Sequence, residues 1–232
     1  MKALLLAAGL GKRLRPITDS TPKCLVPVNG KPLMEYWLEK FCKAGVKPVI
    51  INLHYLADQV ETFIESGVYK KNIKMVYEKE LLGTGGTLLK NRVFFDDDPI
   101  MLVHGDNLSV FDMNAFINAH DLRPDKCEIT MMTFEAQTPE SCGIVELDQD
   151  NVVIAFHEKV KNPPSNLANG AVYILEPSIF DFLESLGKET IDFSTEVLPC
   201  YLGRIFTFHN DQYHRDIGTM ESYSKANQDF SY

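Results

Sequence analysis

LAAGLGKRLRPITDSTPKCLVPVNGKP, from Leu6 to Pro32, starts as the end of an apolar run and passes through two glycines into a basic loop. It then reaches Pro22-Lys23 and Gly30-Lys31-Pro32. Upstream, Lys2 to Ala8 is continuous and apolar up to Gly9, which fits a strand buried on both faces of a parallel sheet. Glycines just past such a strand allow positive φ and let bare N–H groups approach a ligand. Between Met1 and Lys31 there are six basic side chains (Lys2, Lys12, Arg13, Arg15, Lys23, Lys31) and one acid, Asp19. This local balance of about +5 sits in a chain of net charge −9, so the remainder carries about −14. An acidic protein that gathers cations in one glycine-bearing loop is suited to a local phosphate site, not to general polyanion binding. The generic phosphate motifs are absent. No Gly-Lys-Ser/Thr stands at P-loop spacing, and Leu14 occupies the third glycine position of a dinucleotide fingerprint.

The 232 residues suffice for one large α/β domain, and 45% hydrophobic with 24% charged residues is ordinary for a globular protein. No apolar run has the length of a membrane span, and the opening segment is too short for a signal peptide. Cys24, Cys42, Cys127, Cys142 and Cys200 are scattered, odd in number and without a Cys-x-x-Cys pair, so reduced thiols in a cytoplasmic protein are expected. The six histidines show no metal-ligand spacing, although His104 stands close to Gly105-Asp106.

The pattern then alternates. Pro32 opens a helix carrying Leu33, Trp37, Leu38 and Phe41 to near Gly45. Pro48 to Leu53 is a strand, Val60, Phe63 and Ile64 mark a second helix, and Ile73 to Tyr77 a third strand. This β-loop-α-β-α-β rhythm predicts a doubly wound sheet with ligands at the carboxyl ends of its strands. Leu82-Gly83-Thr84-Gly85-Gly86 leads into a short helix, and Ile100 to Val103 delivers His104-Gly105-Asp106-Asn107 to the same edge. A carboxylate past a buried strand suits either a metal or a helix cap. The second half is richer in strands: Cys127 to Phe134, Gly143 to Leu147, Val152 to Phe156, Ala171 to Leu175 and Ile205 to Phe208, with a turn at Gln149 to Asn151. Pro177 to Leu186 reads as a helix, and a polar helix follows Asp216-Ile217-Gly218-Thr219. With no linker or repeat, a single domain is expected, in which a nucleotide-binding half (about 1–122) meets a substrate half (about 123–232).

Gly9 to Thr18 spells G-x-G-x-R-L-x-P-x-T; Pro22-Lys23 and Gly30-Lys31-Pro32 follow. This resembles the signature of the sugar-1-phosphate nucleotidylyltransferases, with Lys12 in place of the small hydroxylated residue common before the arginine. Four further segments stand in the family's order: Glu78 to Gly86, Gly105-Asp106, Glu158-Lys159 with Asn169-Gly170, and Asp216 to Thr219. The resemblance covers nearly the whole chain and is closest to the short mannose- or heptose-1-phosphate guanylyltransferase type. It implies a Rossmann-like, mostly parallel mixed sheet flanked by helices. It also implies transfer of a nucleotidyl group from a nucleoside triphosphate to a sugar 1-phosphate, with pyrophosphate released. On this resemblance Arg13 holds the β and γ phosphates, Lys23 lies near the α-phosphate, and Asp106 and Asp216 chelate Mg²⁺. Ala8, Gly9, Gly11, Lys12, Glu78, Gly83 and Gly85 line the nucleotide. Lys159 binds the sugar phosphate, with Glu158, Asn169, Gly170 and Glu196 around the sugar. The partners are then small molecules, with neither nucleic acid nor membrane, and the oligomeric state is left open, a homo-oligomer included.

Guanine is the favoured base, because its adjacent N1–H and N2–H₂ donors suit a carboxylate such as Glu78, whereas uracil and thymine offer one donor between carbonyls. The alternatives are uridylyl or thymidylyl transfer to glucose 1-phosphate or N-acetylmuramate 1-phosphate, cytidylyl transfer, and a non-catalytic regulatory subunit. A regulatory subunit would be expected to lack a phosphate cation or a metal acid, yet Arg13, Lys23, Asp106 and Asp216 all stand. An unrelated Rossmann-like oxidoreductase or methyltransferase is disfavoured by Leu14.

Overall fold

A computed structural model describes residues 1–230; the last two residues of the expected C-terminal helix lie outside them. In chain order the elements are β1 (Lys2–Leu6), β2 (Pro27–Val28), β3 (Lys31–Pro32), α1 (Leu33–Ala44), β4 (Val49–Leu53), α2 (Ala57–Ser66) and β5 (Ile73–Tyr77). Next come α3 (Gly83–Lys90), α4 (Arg92–Phe95), β6 (Ile100–His104), β7 (Asn107–Val110), α5 (Met113–Asp121), β8 (Ile129–Glu135), β9 (Gly143–Leu147) and β10 (Val153–Glu158). The series closes with β11 (Leu167–Leu175), α6 (Ile179–Ser185), β12 (Ile205–His209), β13 (Tyr213–Asp216) and α7 (Met220–Asp229). The class is α/β, with mixed sheet flanked by helices, as expected. Among the described residues no helix is long and apolar enough to cross a membrane.

Two compact units form, each from discontinuous chain. The first takes residues 1–81, 103–110 and the segment from 213 on; the second takes 82–102 and 111–212. In the first unit β1, β4 and β5 pair in parallel, Leu6 opposite Asn52 and Leu53 opposite Tyr77. Ala3, Leu4, Leu5 and every residue of β4 are buried, the continuous apolar reading of a strand covered on both faces. Leu33 of α1 joins Leu14, Val26, Val28, Leu108, Ile217, Ala226 and Phe230 in one apolar cluster. The glycine loop and the Asp216 turn thus close over a shared core. Trp37 is almost fully buried, and its indole N–H donates to the Asn107 carbonyl at 2.7 Å, satisfying the polar edge of a large apolar side chain.

The element that positions the site was not anticipated. β7 and β13 form an antiparallel ribbon with Asn107 opposite Asp216, and the Ile217 N–H donates to the Asp106 carbonyl at 3.0 Å. Segments more than 100 residues apart in sequence therefore end side by side. α5 is a second unanticipated element; Asp112 caps it, its side chain accepting from the N–H groups of Asn114 and Ala115.

In the second unit β8 pairs antiparallel with β11 and parallel with β12, and β9 pairs antiparallel with β10 and β11. α5 covers one face, Phe116 lying 5.3 Å ring to ring from Phe208. The Gln149–Asn151 turn forms as expected, Asn151 at φ +59° and the Asp148 side chain accepting from the Asp150 and Val152 N–H groups. β11 is longer than the Ala171–Leu175 run and carries a break in register between Asn169 and Tyr173.

Candidate active site

The first loop leaves β1 at Ala7 and bends through Gly11, which adopts φ +61°. A Cβ there would lie 2.8 Å from the Thr18 methyl, and the Thr18 hydroxyl donates to the Gly11 carbonyl at 2.7 Å. Gly11 is thus required by both conformation and space. Gly9 differs: nothing lies within 4 Å of the position a Cβ would take, so the backbone faces open space beside buried Ala8. The following 3₁₀ turn, Lys12–Leu14, buries Leu14 and turns Lys12 and Arg13 outward, the Arg13 side chain being 70% exposed.

Lys23 sits in a short turn after Pro22 and is only 8% exposed. Its ammonium donates to Asp106 Oδ2 at 2.5 Å and to Asp216 Oδ1 at 3.3 Å, and Arg13 reaches Asp216 Oδ2 at 3.8 Å. The four residues assigned to phosphate and metal therefore meet in the first unit. Burial acts to lower the Lys23 pKa, but the charges and hydrogen bonds of Asp106 and Asp216 outweigh it and hold the ammonium above its ordinary value. For Asp106, burial acts upward and is overcome by Lys23, so the carboxyl lies below the usual range. Asp216 goes the other way, raised by burial and then by the Asp106 carboxylate. One ammonium thus neutralises the pair unequally and leaves Asp216 as the carboxylate still short of positive charge. A Cβ at Gly218 would meet Asp216 Oδ2 at 2.6 Å and Arg13 at 3.0 Å, so that glycine keeps room for both.

Among the described residues no group of three or more His, Cys, Asp and Glu side chains is placed to hold a metal. The donor set is two hard carboxylates from two strand ends. That fits Mg²⁺, which takes one or two carboxylates and completes its shell from water and substrate phosphates.

Glu78 is 2% exposed. Its Oε1 accepts from the Asn52 amide at 3.3 Å, its carbonyl lies 2.8 Å from His54 Nδ1, and its N–H donates to the Leu53 carbonyl at 2.8 Å. The carboxylate is held within the protein and presents almost no surface.

The second glycine cluster serves close packing. Gly83 (φ +72°) would place a Cβ 2.5 Å from the Ile191 carbonyl, and Gly85 one 2.7 Å from the Ile191 side chain. The Gly85 N–H is bonded to the Ile191 carbonyl at 2.9 Å, and the Thr84 hydroxyl accepts from the Phe193 N–H at 2.8 Å. The segment so gripped carries Glu196, whose carboxylate accepts from the Asp192 N–H at 2.8 Å and pairs with Lys188.

Two of the residues assigned to the sugar, Asn169 and Glu158, act on a side chain not anticipated, Tyr173. It is fully buried; its hydroxyl accepts from Asn169 Nδ2 at 2.7 Å, with Glu158, Asp192 and Ser194 also acting on it. Burial pushes its pKa well up. The Asn169 Oδ1 accepts from the Ala171 N–H at 2.9 Å, which shapes the break in β11 around Gly170. Lys159, at φ +50° with its side chain 66% exposed, pairs with Glu158 at 2.9 Å. Asn52 and Tyr173 were the polar residues missed. A lone amide at the end of the apolar run Val49–Leu53 was the available signal for Asn52; Tyr173, inside an apolar strand, gave none.

An α/β chain with a glycine loop, an exposed arginine and a lysine shared by two carboxylates defines a protein built to handle phosphate groups. The family model for nucleotidyl transferases matches residues 2–231, and the chain belongs to that family. It is 30% identical over 232 residues to a mannose-1-phosphate guanylyltransferase from Mycobacterium tuberculosis, matching 98% of this chain but spanning 64% of that protein. It is 31% identical over 234 residues to the D-glycero-alpha-D-manno-heptose 1-phosphate guanylyltransferase of Aneurinibacillus thermoaerophilus, matching 100% of this chain and 99% of the relative. Among solved structures, HddC from Yersinia pseudotuberculosis complexed with GMP-PN superimposes with a TM-score of 0.82 at 26% identity, covering 99% of both chains.

Proposed function

We propose that this protein is a sugar-1-phosphate nucleotidylyltransferase that transfers GMP from GTP to mannose or manno-heptose 1-phosphate and releases pyrophosphate. The convergence of Lys23, Asp106, Asp216 and Arg13 carries this reading, and the names of the two relatives support the choice of substrates. The attacking group is a phosphate oxygen already ionised at neutral pH, so the reaction needs two anions aligned and charge neutralised, not a protein nucleophile.

In this reading the sugar phosphate oxygen attacks the α-phosphorus, the bond to the bridging oxygen breaks, and pyrophosphate carries off the electron pair. Arg13 holds the β and γ phosphates and stabilises that leaving group through its planar fork. Lys23 faces the α-phosphate, where charge builds up. Asp106 and Asp216 would hold Mg²⁺, which when bound would supply further neutralisation of phosphate charge. Ala8, Gly9, Gly11, Lys12, Glu78, Gly83 and Gly85 form the nucleotide side, with Gly9 the most open of these four glycines. Lys159 engages the sugar phosphate, and Glu158, Asn169, Gly170 and Glu196 the sugar. The chain is read as one nucleotidyltransferase domain acting in the cytoplasm, with the nucleotide bound mainly by residues before about 122 and the sugar phosphate by those after it.

The test is pyrophosphate release with GTP, UTP, dTTP, CTP and ATP crossed against a panel of sugar 1-phosphates. GTP with mannose or manno-heptose 1-phosphate is expected to give the highest kcat/KM. An enzyme that ignores GTP while using UTP or dTTP overturns the choice of base; one that releases pyrophosphate with no pair overturns the activity.

A further inference from the structure

We propose that Thr18 is a positioning residue for Arg13: its buried hydroxyl closes the loop that carries the arginine, and Tyr55 holds the closed loop from outside. This rests on the nucleotide reading above, in which Arg13 meets the β and γ phosphates.

Between Gly11 and Thr18 the chain carries three exposed cations, Lys12, Arg13 and Arg15. Arg13 is 70% exposed and reaches Asp216 only at 3.8 Å, so where its side chain points depends on the backbone beneath it. One buried side chain ties the two ends of that backbone together. Thr18 is fully buried, and its hydroxyl donates to the Gly11 carbonyl at 2.7 Å. The same carbonyl accepts the Leu14 N–H at 2.9 Å, the bond that forms the turn under Arg13. A Cβ at Gly11 would stand 2.8 Å from the Thr18 methyl and 3.3 Å from the Lys23 Cβ, so the glycine is seated between those two residues. A surface loop without such a closure has more backbone conformations open to it, and its side chains sample correspondingly more positions.

Two side chains that follow β4 hold the far end of the loop. The Tyr55 hydroxyl donates to the Thr18 carbonyl at 3.0 Å, and Gln59 Nε2 donates to the Ser20 carbonyl at 2.9 Å. Tyr55 stands just ahead of α2 and Gln59 lies on it, and α2 is anchored by buried Val60 and Ile64. Contacts thus run from α2 through Thr18 to Gly11, while the cations between the two ends face outward. This gives a physical reason for the threonine that ends the run G-x-G-x-R-L-x-P-x-T: seven residues on from Gly11, its hydroxyl returns to that glycine.

Two substitutions separate the hydroxyl from the packing. Thr18→Val keeps the branched shape and loses the hydroxyl, whereas Thr18→Ser keeps the hydroxyl. Each is made in the wild type and in Arg13→Ala; kcat is measured by pyrophosphate release with the best substrate pair, and thermal melting reports folding. Thr18→Val is expected to lower kcat by about tenfold, and Thr18→Ser to recover most of that loss. In the Arg13→Ala background Thr18→Val should cost less than about twofold, because the side chain it positions is gone; a purely structural loss would multiply with that of Arg13→Ala. Tyr55→Phe takes only a hydroxyl from a partly exposed side chain and should lower kcat by about fivefold, again only while Arg13 is present. A folded Thr18→Val with kcat within about twofold of the wild type overturns the proposal, as does a loss that persists in full without Arg13. If Thr18→Val does not fold, either of those two results in Tyr55→Phe overturns it instead. A wild-type protein that releases pyrophosphate with no substrate pair overturns the nucleotide reading itself and this inference with it.

Discussion

At the scale of single residues, Arg13 and Lys23 look equivalent in sequence, two cations in one loop, but the fold gives them different surroundings. Arg13 is 70% exposed and makes one long contact with Asp216, so its charge is available to a ligand and adds little to stability. Arg13→Ala is expected to lower kcat by about a hundredfold, about 3 kcal/mol of transition-state stabilisation, with the melting temperature unchanged. Lys23 is buried and shared between two carboxylates. Lys23→Ala should lose comparable activity and also destabilise the fold by roughly 1–2 kcal/mol, because Asp106 and Asp216 are left facing each other. Parallel melting and kinetic measurements check both; equal melting temperatures for the two variants would contradict the difference in burial.

At the scale of elements, the two glycine clusters separate. The first opens onto free space at Gly9, whereas the second is packed against the backbone of residues 189–191. A Cβ at Gly86 would collide with the Glu189 carbonyl, which belongs to backbone and cannot rotate away. Gly86→Ala is therefore expected to destabilise the protein by about 1–3 kcal/mol, more than the gain of roughly 1 kcal/mol that alanine brings inside a helix. Gly9→Ala should leave stability within about 0.5 kcal/mol and instead raise the KM for the triphosphate. Urea unfolding of the two variants tests the contrast, and a destabilised Gly9→Ala would show that the first loop is packed too.

At the scale of the whole molecule, acid stability depends on a group outside the site. His120 of α5 is almost fully buried, with Nδ1 2.8 Å from the Thr130 hydroxyl and Nε2 3.1 Å from Glu176, which also pairs with Arg123. Thr130 donating to Nδ1 and Nε2 donating to Glu176 together describe a neutral ring. Burial, aided by the Arg123 charge, pushes the His120 pKa down to about 3 from its ordinary 6.5. Below the unfolded value the unfolded chain binds a proton that the folded chain refuses, so this stability is present at neutral pH and lost as pH falls from about 6.5 towards 3. The loss should be on the order of 3 kcal/mol between pH 7 and pH 4 in urea titrations, and His120→Gln should flatten that slope. An unchanged slope in the variant would assign the acid sensitivity elsewhere. Activity, by contrast, should vanish with chelator and return with Mg²⁺. Asp106→Asn and Asp216→Asn should each raise the Mg²⁺ concentration giving half-maximal rate, because an amide oxygen carries less charge to the ion. Full activity in excess chelator would remove the metal from the proposed reaction.

Much was legible in the residues alone. Apolar runs and helical spacing placed β1, α1, β4, α2 and β5, because a strand buried on both faces and a one-sided helix each impose a period on the sequence. The ordered motifs likewise singled out Arg13, Lys23, Asp106 and Asp216, four side chains that the fold brings together. What they left undetermined concerned pairing between distant segments. The ribbon of Asn107–Val110 with Tyr213–Asp216 has only four residues in each strand, too few for a periodic signal, yet it brings Asp106 and Asp216 to one ammonium. Glu78 reads in sequence as an acid in a loop; only the tertiary structure buries it against Asn52. A hydrophobic pattern records which side of its own element a residue occupies, and the cost of burying a polar group is met by partners that the pattern does not encode. Which polar groups meet is set by how the chain folds back on itself, and in this protein those meetings form the candidate site.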